Sequence, residues 1–495
     1  MVSRGRYRRL TLLSAVLIFS LGLIAFSSRH RHVPAVSSLK QQYPLLWKHV
    51  HTFNGHGGVW YMPPSWVQRN PQPRTIIEAA QLAIQVTDIG EVRHFMPHSQ
   101  IPLIVHQTWS HRQIDTWPDD LRQSVEKWLQ FVVEDEMAYF LWEDEGMVEF
   151  IDHFEPQAHD YYSSLPLMVE KTDYFRITVA TCVGGIYGDL DTVPLKPPAQ
   201  WITSQDVRPW TDLETRSVYN SMKPVRALFG IEADCLPTDH TCWRMGYPYS
   251  IQLTQWSFAS ARDHPLLHQY IENLAHQLQK IANHHGGLQT SAARTELQAL
   301  DPLTLTGPEA VTRAAQEWLN TSAGLRWNAL TGLHDGGKAK LVDDVLILPI
   351  TSFSPGRGKY GNMGSKPITD PTALVHHHGQ GYQTSKKNLE TTIWPQPPEY
   401  LQSQPQISPH ETQNLDQTLF LKKEESTAHS GRAKRASKRA RKARTKRRRE
   451  LEEELRRRRM GDGKVSFFMG SVIPVVWGNP GQSVERQHDR NTVVR

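Results

Sequence analysis

The 495-residue chain carries 56 Lys+Arg against 50 Asp+Glu, a formal +6, with 39% apolar residues and only 3 Cys. Between residues 431 and 459 there are sixteen Lys+Arg and four Glu, a local +12, so the remainder is 6 − 12 = −6. A mildly acidic body excludes reading the whole protein as a nucleic-acid binder, three cysteines exclude a disulfide scaffold, and the length allows one large domain or two ordinary ones.

Residues 10–27 are eighteen consecutive uncharged residues, about 27 Å as a helix. Arg4, Arg6, Arg8 and Arg9 precede the run, and Arg29 and Arg31 follow it. That bias predicts a single transmembrane signal anchor with a short cytoplasmic tail (1–9) and the body in the secretory lumen, a type II arrangement. A cleaved signal peptide ending near Ala25-Phe26-Ser27 is the competing reading, and the apolar run is long for a signal core. Asn320-Thr321-Ser322 is a glycosylation sequon compatible with lumenal exposure.

Residues 28–96 read as a polar, proline-broken stem with one helical stretch near 75–86. A folded domain is expected over 97–400. Ile101 to Trp109 reads as a buried strand, Pro118 opens a helix through about 131, and 137–142 is a second strand. A helix follows from Glu143 to about Phe154. Strand, helix, strand, helix argues for an α/β fold with a parallel sheet. Leu165 to Val183 reads as a long helix stopped at Gly184-Gly185, and Ile186-Tyr187 begins a strand running into Asp189-Leu190-Asp191. Further strands are expected at 225–231 and 344–350, and a helix at 264–281. Cys235 and Cys242 are close enough to pair in an oxidising compartment, and Cys182 reads as a buried small hydrophobe. Beyond about 401 the chain becomes a low-complexity basic tail, expected to be disordered, and 465–477 is apolar but too short to span a bilayer.

Alternate strand positions point the same way, so Asp189 and Asp191 at a strand's end present two carboxylates to one divalent cation. Mg²⁺ or Mn²⁺ takes such oxygen ligands and fills its remaining positions with water and phosphate oxygens. Asp173 and Arg176 lie i,i+3 on the preceding helix and share a face. There they would hold a sugar hydroxyl and a phosphate oxygen, or else form an exposed ion pair. Gly184-Gly185 fits close backbone approach to a ligand as well as a helix cap. Glu232 and Asp234 follow the strand at 225–231 and are candidates for facing an acceptor hydroxyl.

The blocks Ile101–Trp109, Lys171–Arg176 and Gly184–Asp191 together resemble glycosyltransferase family 32, the Asp-x-Asp sugar transferases. Gly230–Asp234, Gln255-Trp256, Asp263-His264-Pro265, Thr306-Gly307-Pro308, Leu346–Pro349, Phe353–Gly356 and Ala373–His378 are similar to its fungal Golgi α-1,6-mannosyltransferase branch. The resemblance spans about 100–385. It implies a GT-A-type nucleotide-sugar-binding domain in the Golgi, using Mn²⁺ (or Mg²⁺) and GDP-mannose in a retaining transfer to a glycoprotein N-glycan core. Asp189, Asp191 and His377 would hold the metal, with His376 and His378 as alternatives. Trp109 would wall the nucleobase. Asp173, Arg176, Gly184, Gly185 and Tyr187 would line the donor site, with Arg176 also assisting catalysis. Partners would be the N-glycan acceptor, the Golgi membrane and other mannosyltransferase subunits. Gly381-Tyr382 departs from the family's usual Ser-Trp, and the basic tail has no counterpart in it. Two rival functions stand beside this one: mannosylation of an inositol-phosphoceramide lipid, and nucleic-acid binding through the tail.

Overall fold

The computed structural model describes residues 36–67, 72–236, 242, 246–357 and 363–379. The expected anchor, Gly381-Tyr382, the basic tail and residues 465–477 lie outside the described residues. Among the described residues no helix is long and apolar enough to cross a membrane.

The elements that position the site, in chain order, begin with β1 (Gly58–Tyr61), α1 (Ile76–Asp88), β2 (Ile104–Thr108), α2 (Asp119–Glu134) and β3 (Ala138–Trp142). Next come α3 (Asp144–Phe154), α4 (Met168–Cys182), β4 (Gly185–Gly188) and β5 (Thr192–Pro194). A small hairpin of β6 (Trp210–Thr211) and β7 (Val218–Tyr219) precedes β8 (Ala227–Asp234) and β9 (Ile251–Ser260). The last are α5 (Pro265–His285), α6 (Pro308–Ala323), β10 (Lys340–Val342), β11 (Val345–Ile347), α7 (Ile350–Phe353) and β12 (Val375–His377).

Eight strands form one sheet in the order β1-β3-β2-β4-β9-β8-β11-β10. It is mixed rather than parallel. β3, β2, β4, β8 and β11 share a direction, whereas β9 runs against its neighbours β4 and β8, and β1 and β10 are antiparallel edges. The strand–helix alternation that suggested a parallel sheet holds for the first half only. In the second half β9 follows β8 in sequence and pairs antiparallel with it.

The strand pattern sorts the core into two layers. Phe140, Trp142, Tyr187 and Phe258 face Phe150 of α3, Phe175 of α4, Tyr270 of α5 and Val311 of α6. Tyr139, Leu141, Ile186 and Ala259 face Val125 and Trp128 of α2, together with Trp201 and Phe353. Covering both faces explains why β3 and β9 are buried at every position. Part of the span expected as stem belongs to this body, because β1 pairs with β3 and Ile76, Ala79, Ala80 and Ala83 of α1 are in the core.

Two glycines let strands and helices close up. Gly185, at φ +112°, has Ile104 O 2.4 Å from where a Cβ would stand. At Gly230 that place is 2.6 Å from the Cβ of Phe353, so α7 presses directly on β8.

Candidate active site

The site gathers at the end of the sheet where β2 and β4 finish. Asp189-Leu190-Asp191 is the turn joining β4 to β5, not the end of a strand. The strand-alternation argument for its two carboxylates therefore does not apply. The turn is held by Thr192 N and Oγ1, which donate to Asp189 O at 2.9 and 2.6 Å, and by Asp189 N, which donates to Trp256 O at 2.8 Å. Gln107 Nε2 also donates to Asp189 O, at 3.2 Å, and its own carbonyl accepts from Tyr139 OH at 2.9 Å.

β12 supplies the third group. It pairs antiparallel with β5, setting His377 against Thr192, and His378 N donates to Asp191 O at 3.0 Å. One oxygen from each of Asp189 and Asp191 and one ring nitrogen of His377 lie within 4.8 Å of one another. His377 is thus the histidine of the run that joins the aspartates; His376 and His378 pack edge-on against each other at 4.9 Å. The His377 ring also stacks on Trp256, centroids 4.6 Å apart and planes 15° apart.

α4 brings in Asp173 and Arg176. Glu170 anchors its first turn by accepting from Leu167 N at 2.9 Å. Arg176 Nη2 sits 3.3 Å from Asp173 Oδ1 and 3.1 Å from Asp189 Oδ1, and its guanidinium lies 5.0 Å from the centre of the Tyr187 ring. Tyr187 OH donates to Asp189 Oδ1 at 2.9 Å, and Thr306 Oγ1 donates to Asp173 Oδ2 at 3.0 Å. Asp173 and Arg176 are thus a buried bridge to Asp189, not the exposed pair that was the alternative.

Burial pushes the Asp173 carboxyl up to about 6 against the pull of Arg176 and Thr306. It raises Asp189 as well, again opposed by Arg176. Burial works to lower His377, but Asp191, Asp189 and Glu232 outweigh it and raise the imidazole above its ordinary value. The cluster is therefore rich in negative charge that a cation would relieve. Trp109 Nε1 and Arg176 Nε are buried donors at this end with no hydrogen-bond partner among the described residues.

Glu232 and Asp234 lie within β8, which runs further than expected. Glu232 accepts from Gln252 Nε2 at 2.7 Å and lies where it influences His377. Asp234 accepts from Thr331 Oγ1 at 2.6 Å and from Gly332 N at 2.7 Å, pinning that loop. Gly185 opens β4, directly after Gly184, while Asp189 follows the far end of the strand, about 13 Å from Gly185 at strand rise; Gly185 serves the close approach of β2. Trp109 stands one residue past β2, edge-on to Trp117 at 6.4 Å. Sequence pattern assigns no role to Gln107, Trp256 or Thr306, because which side chains of those blocks reach the Asp189 turn or Asp173 depends on the sheet order.

Residues 118–208 match a family described as a glycosyltransferase sugar-binding region containing a DXD motif. The match includes α4 and the Asp189–Asp191 turn. An initiation-specific α-1,6-mannosyltransferase of Schizosaccharomyces pombe is 31% identical over 288 residues, covering 57% of this chain and 64% of that protein. One from Candida albicans is 29% identical over 240 residues, covering 46% and 57% respectively. An inositol phosphoceramide mannosyltransferase of Schizosaccharomyces pombe is 35% identical over only 92 residues, covering 18% and 24%. The chain thus spans roughly three fifths of the length of the first two relatives.

Proposed function

We propose that this protein is a metal-dependent mannosyltransferase that moves mannose from GDP-mannose to an N-glycan core in α-1,6 linkage, with retention, on a GT-A-type domain. The observation that carries the reading is the Asp189, Asp191 and His377 cluster, with ligand atoms within 4.8 Å, bridged by Arg176 to Asp173. Two carboxylates and one imidazole are a donor set suited to Mn²⁺, with Mg²⁺ as the harder alternative. When bound, the ion supplies positive charge to the diphosphate leaving group.

The chain's own groups do the rest. Arg176 holds a fixed guanidinium beside Asp189, and its unpartnered Nε is a donor left for a ligand oxygen. Asp173, fixed by Thr306, accepts from a donor-sugar hydroxyl. Trp109, with its indole N–H unpartnered at the end of β2, walls the base. Tyr187 keeps the Asp189 carboxylate aimed outward from the strand end. Glu232, inside β8, faces the acceptor hydroxyl.

The longer relatives favour a glycan over a lipid acceptor, since the inositol phosphoceramide enzyme is matched over 18% of the chain only. The uncharged run at 10–27 supports a Golgi membrane anchor with the catalytic body in the lumen, where other mannosyltransferase subunits are the expected partners and nucleic acid is not. A screen of GDP-mannose, UDP-glucose and UDP-galactose with and without Mn²⁺ and chelator tests the donor. Turnover confined to GDP-mannose and abolished by chelation is expected; chelator-resistant turnover contradicts the metal role.

A further inference from the structure

Glu232, Arg357 and Tyr247 come from three separate places and converge beside the His377–Trp256 stack. Gly230 lets Phe353 press on β8, and Arg357, four residues on, lies near enough to act electrostatically on Glu232. Burial pushes the Glu232 carboxyl up, while the Arg357 guanidinium, the Gln252 amide, His377 and Trp256 all draw it back. Arg357 Nη1 donates to Tyr247 OH at 2.6 Å, with its guanidinium 5.8 Å from the centre of that ring. Tyr247 is in turn tethered to a disulfide. Cys235, the residue after β8, is bonded to Cys242, and Tyr247 N donates to Cys242 O at 2.9 Å.

The geometry points to Arg357 and Tyr247, held by the Cys235–Cys242 bridge, as the acceptor-sugar subsite of this enzyme, with Glu232 as its third wall. The inference rests on the transferase reading above. A carboxylate, a guanidinium fork and a phenol ring together suit a neutral pyranose. Adjacent hydroxyls donate to Glu232 and accept from Arg357, and the apolar sugar face lies on Tyr247. The Glu232 carboxylate offsets the Arg357 charge, so the trio carries no net charge and suits a neutral, hydroxyl-bearing ligand. The disulfide is then a positioning device: it fixes the start of the segment that carries the platform, and it reaches no reacting atom.

The test uses the solubilised full chain with GDP-mannose and an α-linked mannose oligosaccharide, alongside a titration of GDP in the presence of Mn²⁺. Arg357→Ala is expected to raise the oligosaccharide KM by about 30-fold, the loss of one charged hydrogen-bonding group, with GDP affinity as in wild type. Arg357→Lys should recover part of that loss. Tyr247→Phe, which keeps the ring, and Cys235→Ser with Cys242→Ser should raise the same KM to smaller extents. A matching loss of GDP affinity in Arg357→Ala would place that residue on the donor side, and an unaltered oligosaccharide KM would remove it from the site; either overturns the inference. Should wild-type protein fail to bind GDP with Mn²⁺ at all, the transferase reading itself falls, an outcome the variant comparison cannot produce.

Discussion

His377 Nε2 stands 3.2 Å from Asp191 Oδ1 while its ring lies flat on Trp256. Strand pairing between β12 and β5 brings these residues together across nearly two hundred positions of sequence. The stack fixes the ring plane, so Nε2 is aimed rather than merely nearby.

Removing the stack should loosen the ligand without deleting it. Trp256→Leu is expected to weaken Mn²⁺ binding by about 10-fold, at the lower end of what supporting residues around metal ligands contribute. Titrating Mn²⁺ by electron paramagnetic resonance reads this directly. Unchanged affinity would show that β12 pairing alone aims His377.

Arg176 compensates the buried Asp173 carboxylate and the part-buried Asp189 carboxylate, so its removal strands both. Arg176→Ala should destabilise the fold by about 3 kcal/mol or more, read as a shift in urea midpoint. Arg176→Lys should keep more of the stability yet lower the transfer rate by about 100-fold, because an ammonium cannot reproduce the fork between Asp173 and Asp189. Near-normal kcat in the lysine variant would mean that the bridge is only structural.

Gly185 should behave as a packing residue. Gly185→Ala puts a methyl 2.4 Å from Ile104 O at a φ of +112°, and a loss of about 2 kcal/mol or more is expected. GDP affinity per folded molecule should not change. A selective loss of nucleotide affinity with stability intact would place Gly185 in the donor site instead.

His106 predicts a specific pH dependence. It is fully buried, its Nδ1 accepts from Trp142 Nε1 at 3.2 Å, and Nε2–H therefore donates to Gly184 O at 3.0 Å. Burial lowers its pKa to about 4. The folded pKa lies below the unfolded one near 6.5, so the contribution is complete above that value and is lost as pH falls toward the folded value. The total is about 3 kcal/mol between pH 6.5 and 4. Denaturation midpoints of wild type and His106→Asn, compared over that range, should differ in slope. Parallel curves would exclude His106 as the source.

Much of the first half was legible because its elements are long and periodic. The helices α1 to α5 begin and end close to the expected residues, since Pro118 and Gly184 mark boundaries that local chemistry imposes. β9 was not, although Ile251, Leu253 and Phe258 share one face; irregular register with β8 interrupts the alternation there. The aspartates were found for the wrong local reason, being placed on a strand when a turn carries them. Asp234 and Glu232 look alike in sequence, two residues apart on one face. Only the loop at Thr331–Gly332 separates them, by claiming Asp234. No local pattern reports such a distant partner.

The central claim is that Asp189, Asp191 and His377 together hold one divalent cation that receives a nucleotide diphosphate. Isothermal titration of GDP into wild type and Asp191→Asn, each with Mn²⁺ and with chelator, tests it most directly. The account predicts tight binding by wild type only with Mn²⁺, and loss of that Mn²⁺-dependent gain in the variant at unchanged urea midpoint. Equal GDP affinity with and without the ion, or a variant that keeps the full gain, would contradict it.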